Sequence, residues 1–180
     1  MRRTRVRTIV ILGLLISVGL VLHVVESLLP LSFFVPGAKI GLANIASLLG
    51  LIIFGFKAGL LILSARILAG SLLGGTFLSF NFFMSLSGGV AGFILMSVIY
   101  LIFDNYFSLI GVSIIGAVFH NFGQIIAASL IISNFGLLYY LPYLTLLAIP
   151  SGIGIGLIVQ FTENYLPEEV VVVKWKSKNR

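Results

Sequence analysis

A small set of ionisable and amide side chains interrupts a sequence that is otherwise almost wholly apolar. These are the residues able to bind a charged or hydrogen-bonding ligand: His23, Glu26, Lys39, Asn44, Arg66, Asn81, His120, Asn121 and Gln124. The set holds two permanent cations and one carboxylate, and either histidine can add a positive charge. This balance favours a small anionic or strongly hydrogen-bonding ligand.

The same inventory argues against catalysis and against a metal site. Asp104 is the only aspartate, whereas binding a diphosphate through Mg²⁺ in a prenyl-transfer enzyme requires clustered carboxylates. The chain has no cysteine and only two histidines, which lie far apart, so zinc is not expected. A Gly-x-x-x-x-Gly-Lys-Ser/Thr phosphate loop is also missing, so ATP hydrolysis would need a partner. We predict no catalytic residue, metal or cofactor.

Composition places the polar side chains inside a membrane. Hydrophobic residues make up 59% of the 180 and charged residues only 9%, whereas soluble domains average about 25% charged. A helix that crosses about 30 Å of hydrocarbon needs about 20 apolar residues. Six runs of suitable length occur, at about 8–29, 39–56, 58–73, 81–103, 108–132 and 143–161. They do not alternate as barrel strands do, so the predicted fold is an all-α, polytopic bundle of six transmembrane helices in one domain over 1–180.

Basic residues indicate how this bundle is oriented. All of the 11 lysines and arginines except Lys39 and Arg66 lie at Lys57 or in two tails, about 1–7 and 164–180. Because cytoplasmic segments are rich in Lys and Arg, both termini are expected in the cytoplasm. The tails are expected to touch anionic membrane lipid. Nucleic-acid binding is not expected, because no aromatic platform accompanies the charges.

In this orientation the polar side chains lie near the membrane midplane or in its outer half. Helical spacing puts His120, Asn121 and Gln124 on one face of the fifth helix. Polar groups at membrane depth usually face a cavity or a partner, so we expect an outward-opening pocket. Asn44 and Asn81 lie at the starts of predicted helices, where capping is the favoured role and ligand binding is the alternative.

Simpler structural roles stay open for the charged members of the set. Arg66 can form a structural ion pair with Glu26 inside the bundle. His23, one turn before Glu26, can share a hydrogen bond with it. Lys39 can extend from a helix end to the lipid headgroups.

Small residues recur at the spacing typical of close helix packing. Gly-x-x-x-Gly pairs, which let two helix backbones approach, begin at Gly70, Gly88 and Gly152. Gly13 and Ser17 form a weaker pair on the first helix. Packing inside the bundle is the expected role, and docking on another membrane protein is the alternative.

Four segments carry a family resemblance over most of the chain. They read PGAKIGLAN at 36–44, RILAG at 66–70, SGG at 87–89 and GAVFHNFGQ at 116–124. Together they resemble the heptaprenyl diphosphate synthase component I family, also called Gx transporters. That family is similar to the S-components of energy-coupling factor (ECF) transporters, which are six-helix membrane proteins that capture a vitamin or precursor outside the cell.

The resemblance implies a place in a bacterial cytoplasmic membrane and a set of partners. The S-component-like protein would work with an ECF coupling protein and with ATPases that hydrolyse the ATP. Residues 31–38 would cap the ligand. The first helix would dock on the coupling protein through Gly13 and Ser17, which stand where S-components usually have alanines.

The resemblance also leaves two functions to distinguish. In the first, Lys39, Arg66 and His120 hold the acidic head of an isoprenoid, a quinone precursor or a vitamin-like molecule for import. In the second, which follows the family name, the chain is a non-catalytic membrane accessory subunit of polyprenyl diphosphate synthesis and anchors a soluble enzyme.

Overall fold

The computed structural model describes residues 2–28 and 41–166, and this part of the chain is helical. Six α-helices follow one another within it: α1 (Arg2–Leu28), α2 (Asn44–Phe54), α3 (Phe56–Leu73), α4 (Phe80–Ile102), α5 (Leu109–Ile132) and α6 (Leu141–Tyr165). A 3₁₀ helix, Phe135–Tyr140, precedes α6. The two described ranges contain no β-strand, so the all-α prediction is confirmed.

Five of these helices are long and apolar enough to cross a membrane, namely α1, α3, α4, α5 and α6 together with the preceding 3₁₀ helix. This confirms a multi-pass membrane protein. The prediction of six spans is confirmed only for these five. The run at 39–56 contains α2, which has 11 residues and is therefore about 16 Å long, about half the hydrocarbon thickness.

The helices α2 and α3 form a tight hairpin. Gly55 alone separates them, and its φ of 87° is a left-handed conformation that favours glycine. The sequence places this turn at Lys57, which is instead an exposed residue in the first turn of α3. A Cβ on Gly50 would lie 3.3 Å from the Cα of Gly59, so the two backbones touch and fix the antiparallel register.

The short helix α2 occupies the centre of the bundle. All of its residues except Phe54 are buried, and it packs against α1, α3, α4 and α6. Leu48, Leu51 and Ile52 belong to the main hydrophobic cluster, which also includes Phe93 of α4. Because α2 is covered on all sides by apolar side chains, any polar group at its start is held in a fixed environment.

The helices α4, α5 and α6 pack in sequence through glycine contacts. A Cβ on Gly92 would lie 2.6 Å from the carbonyl oxygen of Gly116 on α5. A Cβ on Gly152 of α6 would lie 2.6 Å from the Cα of Ile114. These distances leave no room for a side chain, so the glycine pairs on α4 and α6 serve packing inside the bundle, as expected.

Helix α1 is the least embedded of the long helices. Among residues 6–26, only Gly19 and Glu26 are buried. Its half-buried Ile11 and Leu15 pack against the main hydrophobic cluster. Exposed apolar side chains of α1 such as Ile9 and Leu14 are open to lipid or to another protein.

Candidate ligand-binding site

A buried arginine organises polar contacts among the first three helices. Arg66 lies within α3 and is 3% exposed, and its Nη2 donates a hydrogen bond to Oδ1 of Asn44 at 2.7 Å. Glu26 is also buried; its Oε1 accepts a hydrogen bond from the backbone N–H of Gly41, and its charge interacts with that of Arg66. We call Glu26, Gly41, Asn44 and Arg66 the Arg66 cluster.

Two glycines make this cluster possible. A Cβ on Gly19 of α1 would lie 3.3 Å from Cδ of Arg66, so the arginine stem packs directly on the α1 backbone. Gly41 has a φ of 82°, and a Cβ there would lie 2.9 Å from Nδ2 of Asn44. The turn before α2 therefore needs a residue without a side chain to bring its N–H to Glu26.

His23 contacts α3 close to the cluster. Its Cδ2 would be 2.6 Å from a Cβ on Gly70 of α3, one turn after Arg66. The sequence reading missed Gly19 as part of this site. Gly19, His23 and Glu26 have the i, i+4, i+7 spacing of one helix face, but this spacing alone does not show that Arg66 packs on Gly19.

A second group of buried polar residues lies on α5. His120, Asn121 and Gln124 are each at most 5% exposed, so all three are buried in the bundle; their predicted role in ligand binding stays a prediction. Nδ2 of Asn121 donates to the carbonyl oxygen of Leu144 on α6 at 2.9 Å, which joins two helices. Gln124 lies over Gly88 of α4, where a Cβ would be 2.5 Å from its Cγ.

The Arg66 cluster and the α5 group lie at nearly the same depth in the bundle. Ile67, the neighbour of Arg66, contacts α4 at Gly89, where a Cβ would lie 3.0 Å from its Cδ1. The preceding residue, Gly88, contacts Gln124. Because consecutive helical residues rise by about 1.5 Å, these contacts connect Arg66 and Gln124 laterally through α4.

Helix α2 starts at this depth, because Asn44 is both its first residue and the partner of Arg66. Helices α3, α4 and α5 extend past this level, whereas α6 begins near it, because Leu144 in its first turn accepts the hydrogen bond from Asn121. Of the segment that leads into α2, the described part beyond this level is the turn at 41–43. Within residues 2–28 and 41–166, no helix occupies the centre of the bundle beyond the start of α2.

Two buried donors in this layer have no hydrogen-bond acceptor within residues 2–28 and 41–166. They are Nε of Arg66 and Nε2 of Gln124. The hydroxyls of Ser47, Ser97 and Ser129 are likewise unpartnered there. A buried donor left without an acceptor costs about 1–3 kcal/mol, so a ligand that supplies acceptor atoms would gain that energy.

The two asparagines at helix starts behave differently from each other. The N-cap residues of α2 and α4 are Ala43 and Ser79, so the capping role considered for Asn44 and Asn81 is wrong. Asn44 instead holds Arg66. Asn81 is exposed, and no described contact brings its side chain to the Arg66 cluster.

Several predicted features lie elsewhere. Lys39 and the expected ligand cap at 31–38 fall outside the described residues. Gly13 and Ser17 are exposed on α1, where Oγ of Ser17 donates to the carbonyl oxygen of Gly13 at 2.9 Å. Within the described ranges, no group of three or more His, Asp or Glu side chains could hold a metal ion.

Comparison with known proteins gives one match. A family model described as heptaprenyl diphosphate synthase component I matches residues 15–162. This range runs from α1 to α6 and includes both the Arg66 cluster and the polar residues of α5. No similar chain was found among the curated proteins or among the solved structures.

Proposed function

The chain belongs to the heptaprenyl diphosphate synthase component I family, and we propose that it is a membrane-embedded binding protein for a small anionic ligand. The observation that carries this proposal is the buried guanidinium of Arg66. One of its nitrogens is fixed by Asn44, while Nε has no acceptor among the described residues. A guanidinium held in this way is preorganised to bind carboxylate or phosphate oxygens.

Charge balance supports an anion rather than a cation. Arg66 and Glu26 bring opposite charges together, and the carboxylate of Glu26 is already engaged by the N–H of Gly41. The group of the cluster that has no described hydrogen-bond partner is therefore a donor, Nε of Arg66. Lys39 precedes Gly41 by two residues in the sequence and supplies a second cation in this proposal.

We further propose that the site opens outward from a bacterial cytoplasmic membrane in which both termini are cytoplasmic. The basic tails and Lys57 support this orientation. Lys57 lies in the first turn of α3, at the end of the helix away from Arg66. The ligand then enters from outside. Because the chain lacks a phosphate loop, an ECF coupling protein and its ATPases supply the energy, and the chain acts as the S-component.

In this arrangement the coupling protein docks on α1. A Cβ on Gly13 would meet no atom of the described chain within 4 Å, so this surface is free of contacts within the bundle. The hydroxyl of Ser17 is bonded to its own helix, so burial of this face leaves no unsatisfied hydroxyl proton. Small residues with satisfied polar groups permit a close approach of a second helix.

Mass spectrometry of the small molecules released from detergent-purified protein tests this function. We expect an anionic small molecule at roughly one per chain, as for a dedicated pocket. The control is the same extraction from an unrelated membrane protein purified in the same detergent. Recovery of only phospholipid and detergent from both preparations would contradict the proposal.

The family description favours a second candidate function, a non-catalytic accessory subunit of heptaprenyl diphosphate synthesis. In this candidate a soluble enzyme is recruited to the membrane through the cytoplasmic tails. The energy source is then irrelevant, and the bound anion is a substrate or product of that enzyme.

Removal of residues 168–180 separates the two candidates. The accessory function predicts a lower rate of heptaprenyl diphosphate formation in isolated membranes, because the enzyme loses its anchor. The importer function predicts an unchanged rate. Equal amounts of truncated and full-length protein in the membranes are the necessary control, and an unchanged rate at equal amounts would eliminate the accessory candidate.

A further inference from the structure

Gln124 is a buried donor that the proposed anion site does not use. Its side chain is 2% exposed, and Nε2 has no acceptor within the described ranges. The bundle accommodates this side chain only because residue 88 of α4 is a glycine, where a Cβ would lie 2.5 Å from Cγ of Gln124. Helices α4 and α5 thus pack around an amide whose N–H groups have no described acceptor. Burying such a donor costs free energy unless a further group accepts its hydrogen bond.

The neighbouring amide on α5 has a different role. Asn121 donates to the carbonyl oxygen of Leu144 and so holds α5 to α6. Gln124 lies one turn closer to the end of α5, at the depth of Arg66 by way of the Ile67–Gly89 contact. Arg66 and Gln124 are therefore two buried donors without described acceptors, connected through adjacent residues of α4.

We infer that the ligand held by Arg66 carries, apart from its oxyanion, a neutral hydrogen-bond acceptor that binds Nε2 of Gln124. This inference rests on the proposed anion-binding function. An amide N–H is an uncharged donor, and it suits a carbonyl, hydroxyl or ring nitrogen better than a second charged group, whose burial would need a counter-charge. The substrate class is a small bifunctional anion.

The packing around Gln124 argues against a ligand whose second half is a hydrocarbon chain at this point. A Cβ on Gly88 would lie 2.8 Å from the carbonyl oxygen of His120, and one on Gly123 would lie 2.7 Å from that of Ser87. The backbones of α4 and α5 touch on both sides of Gln124, so no apolar channel passes between them. The hydrocarbon chain of a prenyl diphosphate has no hydrogen-bond acceptor to offer the amide.

Two pairs of anions test the inference on the purified full chain. Benzoate and isonicotinate differ only in a ring nitrogen opposite the carboxylate, and valerate and levulinate differ only in a ketone. We expect the wild type to bind the acceptor-bearing member of at least one pair about tenfold more tightly, as one good hydrogen bond at a buried site allows. Gln124→Leu should reduce this ratio to about one, whereas Gln160→Leu, the same change at an exposed position of α6, should preserve it.

A stability measurement shows whether the leucine variant folds. Because Gln124→Leu replaces an unsatisfied amide by an apolar group of similar size, its melting temperature without added anion should equal or exceed that of the wild type. A wild type that prefers neither acceptor-bearing anion, or a Gln124→Leu protein that keeps the preference, overturns the inference and leaves the Arg66 site standing. A wild type that binds none of the four anions overturns both.

Discussion

Replacing Arg66 by glutamine is expected to abolish anion binding, with a loss of affinity of about 100-fold or more. Truncating one partner of a buried, hydrogen-bonded charge pair costs about 2–5 kcal/mol, and 1.4 kcal/mol is tenfold in affinity. Native mass spectrometry or titration calorimetry of the purified protein measures this loss. Arg7→Gln is the matched control, because Arg7 is exposed on α1 and far along that helix from Glu26.

The single substitution at Arg66 also leaves Glu26 as a buried charge without its cation, which costs about 3–5 kcal/mol in other proteins. The double variant Arg66→Gln/Glu26→Gln removes both charges and should melt closer to the wild type than Arg66→Gln does. It should still fail to bind anions. A folded double variant with wild-type affinity would show that another residue anchors the ligand.

The identity of the buried polar residues was predictable because exposing such groups to lipid costs free energy. A lone arginine or histidine in an apolar run has few outcomes that avoid a large desolvation cost, and burial is the one that Arg66 and His120 adopt. The helical periodicity of the fifth run likewise predicted the shared face of His120, Asn121 and Gln124. Both predictions depend only on the spacing of residues along one helix and on the free energy of placing polar groups in lipid.

The hydrogen bond between Arg66 and Asn44 was not predictable from the sequence pattern. Asn44 meets Arg66 because the α2–α3 hairpin closes at Gly55 with the register set by Gly50 against Gly59. That register is a property of two packed helices rather than of either one. A reading of single helices therefore assigns Asn44 to a cap and extends the second span too far.

The same limitation explains why Gly19 was missed. A glycine in a long apolar helix has no feature that separates a lipid-facing position from a contact position. Gly13 and Gly19 lie on one helix, yet a Cβ on Gly13 meets no described atom within 4 Å, whereas one on Gly19 lies 3.0 Å from Cβ of Ala46. Only the packed neighbours reveal that one glycine seats Arg66 and the other leaves a surface open.

The open surface at Gly13 predicts a second large effect, on the assembly of the chain with partner proteins. Replacing Gly13 and Ser17 together by leucine is expected to abolish co-purification of the chain with the proposed ECF coupling protein and ATPases, because two bulky side chains prevent the close helix approach that small residues permit. Anion binding should persist, since the altered positions are exposed and lie apart from the Arg66 cluster. Co-purification from membranes that contain all partners measures the effect.

The matched control for assembly is Gly154→Leu on α6. A Cβ there also meets no described atom within 4 Å, so the bundle tolerates the added side chain by the same criterion, on a different helix. Assembly should survive this change if the coupling protein contacts α1. Equal recovery of partners by the Gly13→Leu/Ser17→Leu and Gly154→Leu proteins would exclude the α1 face as the docking surface, and loss of recovery in both would place the contact on a wider surface that includes α6.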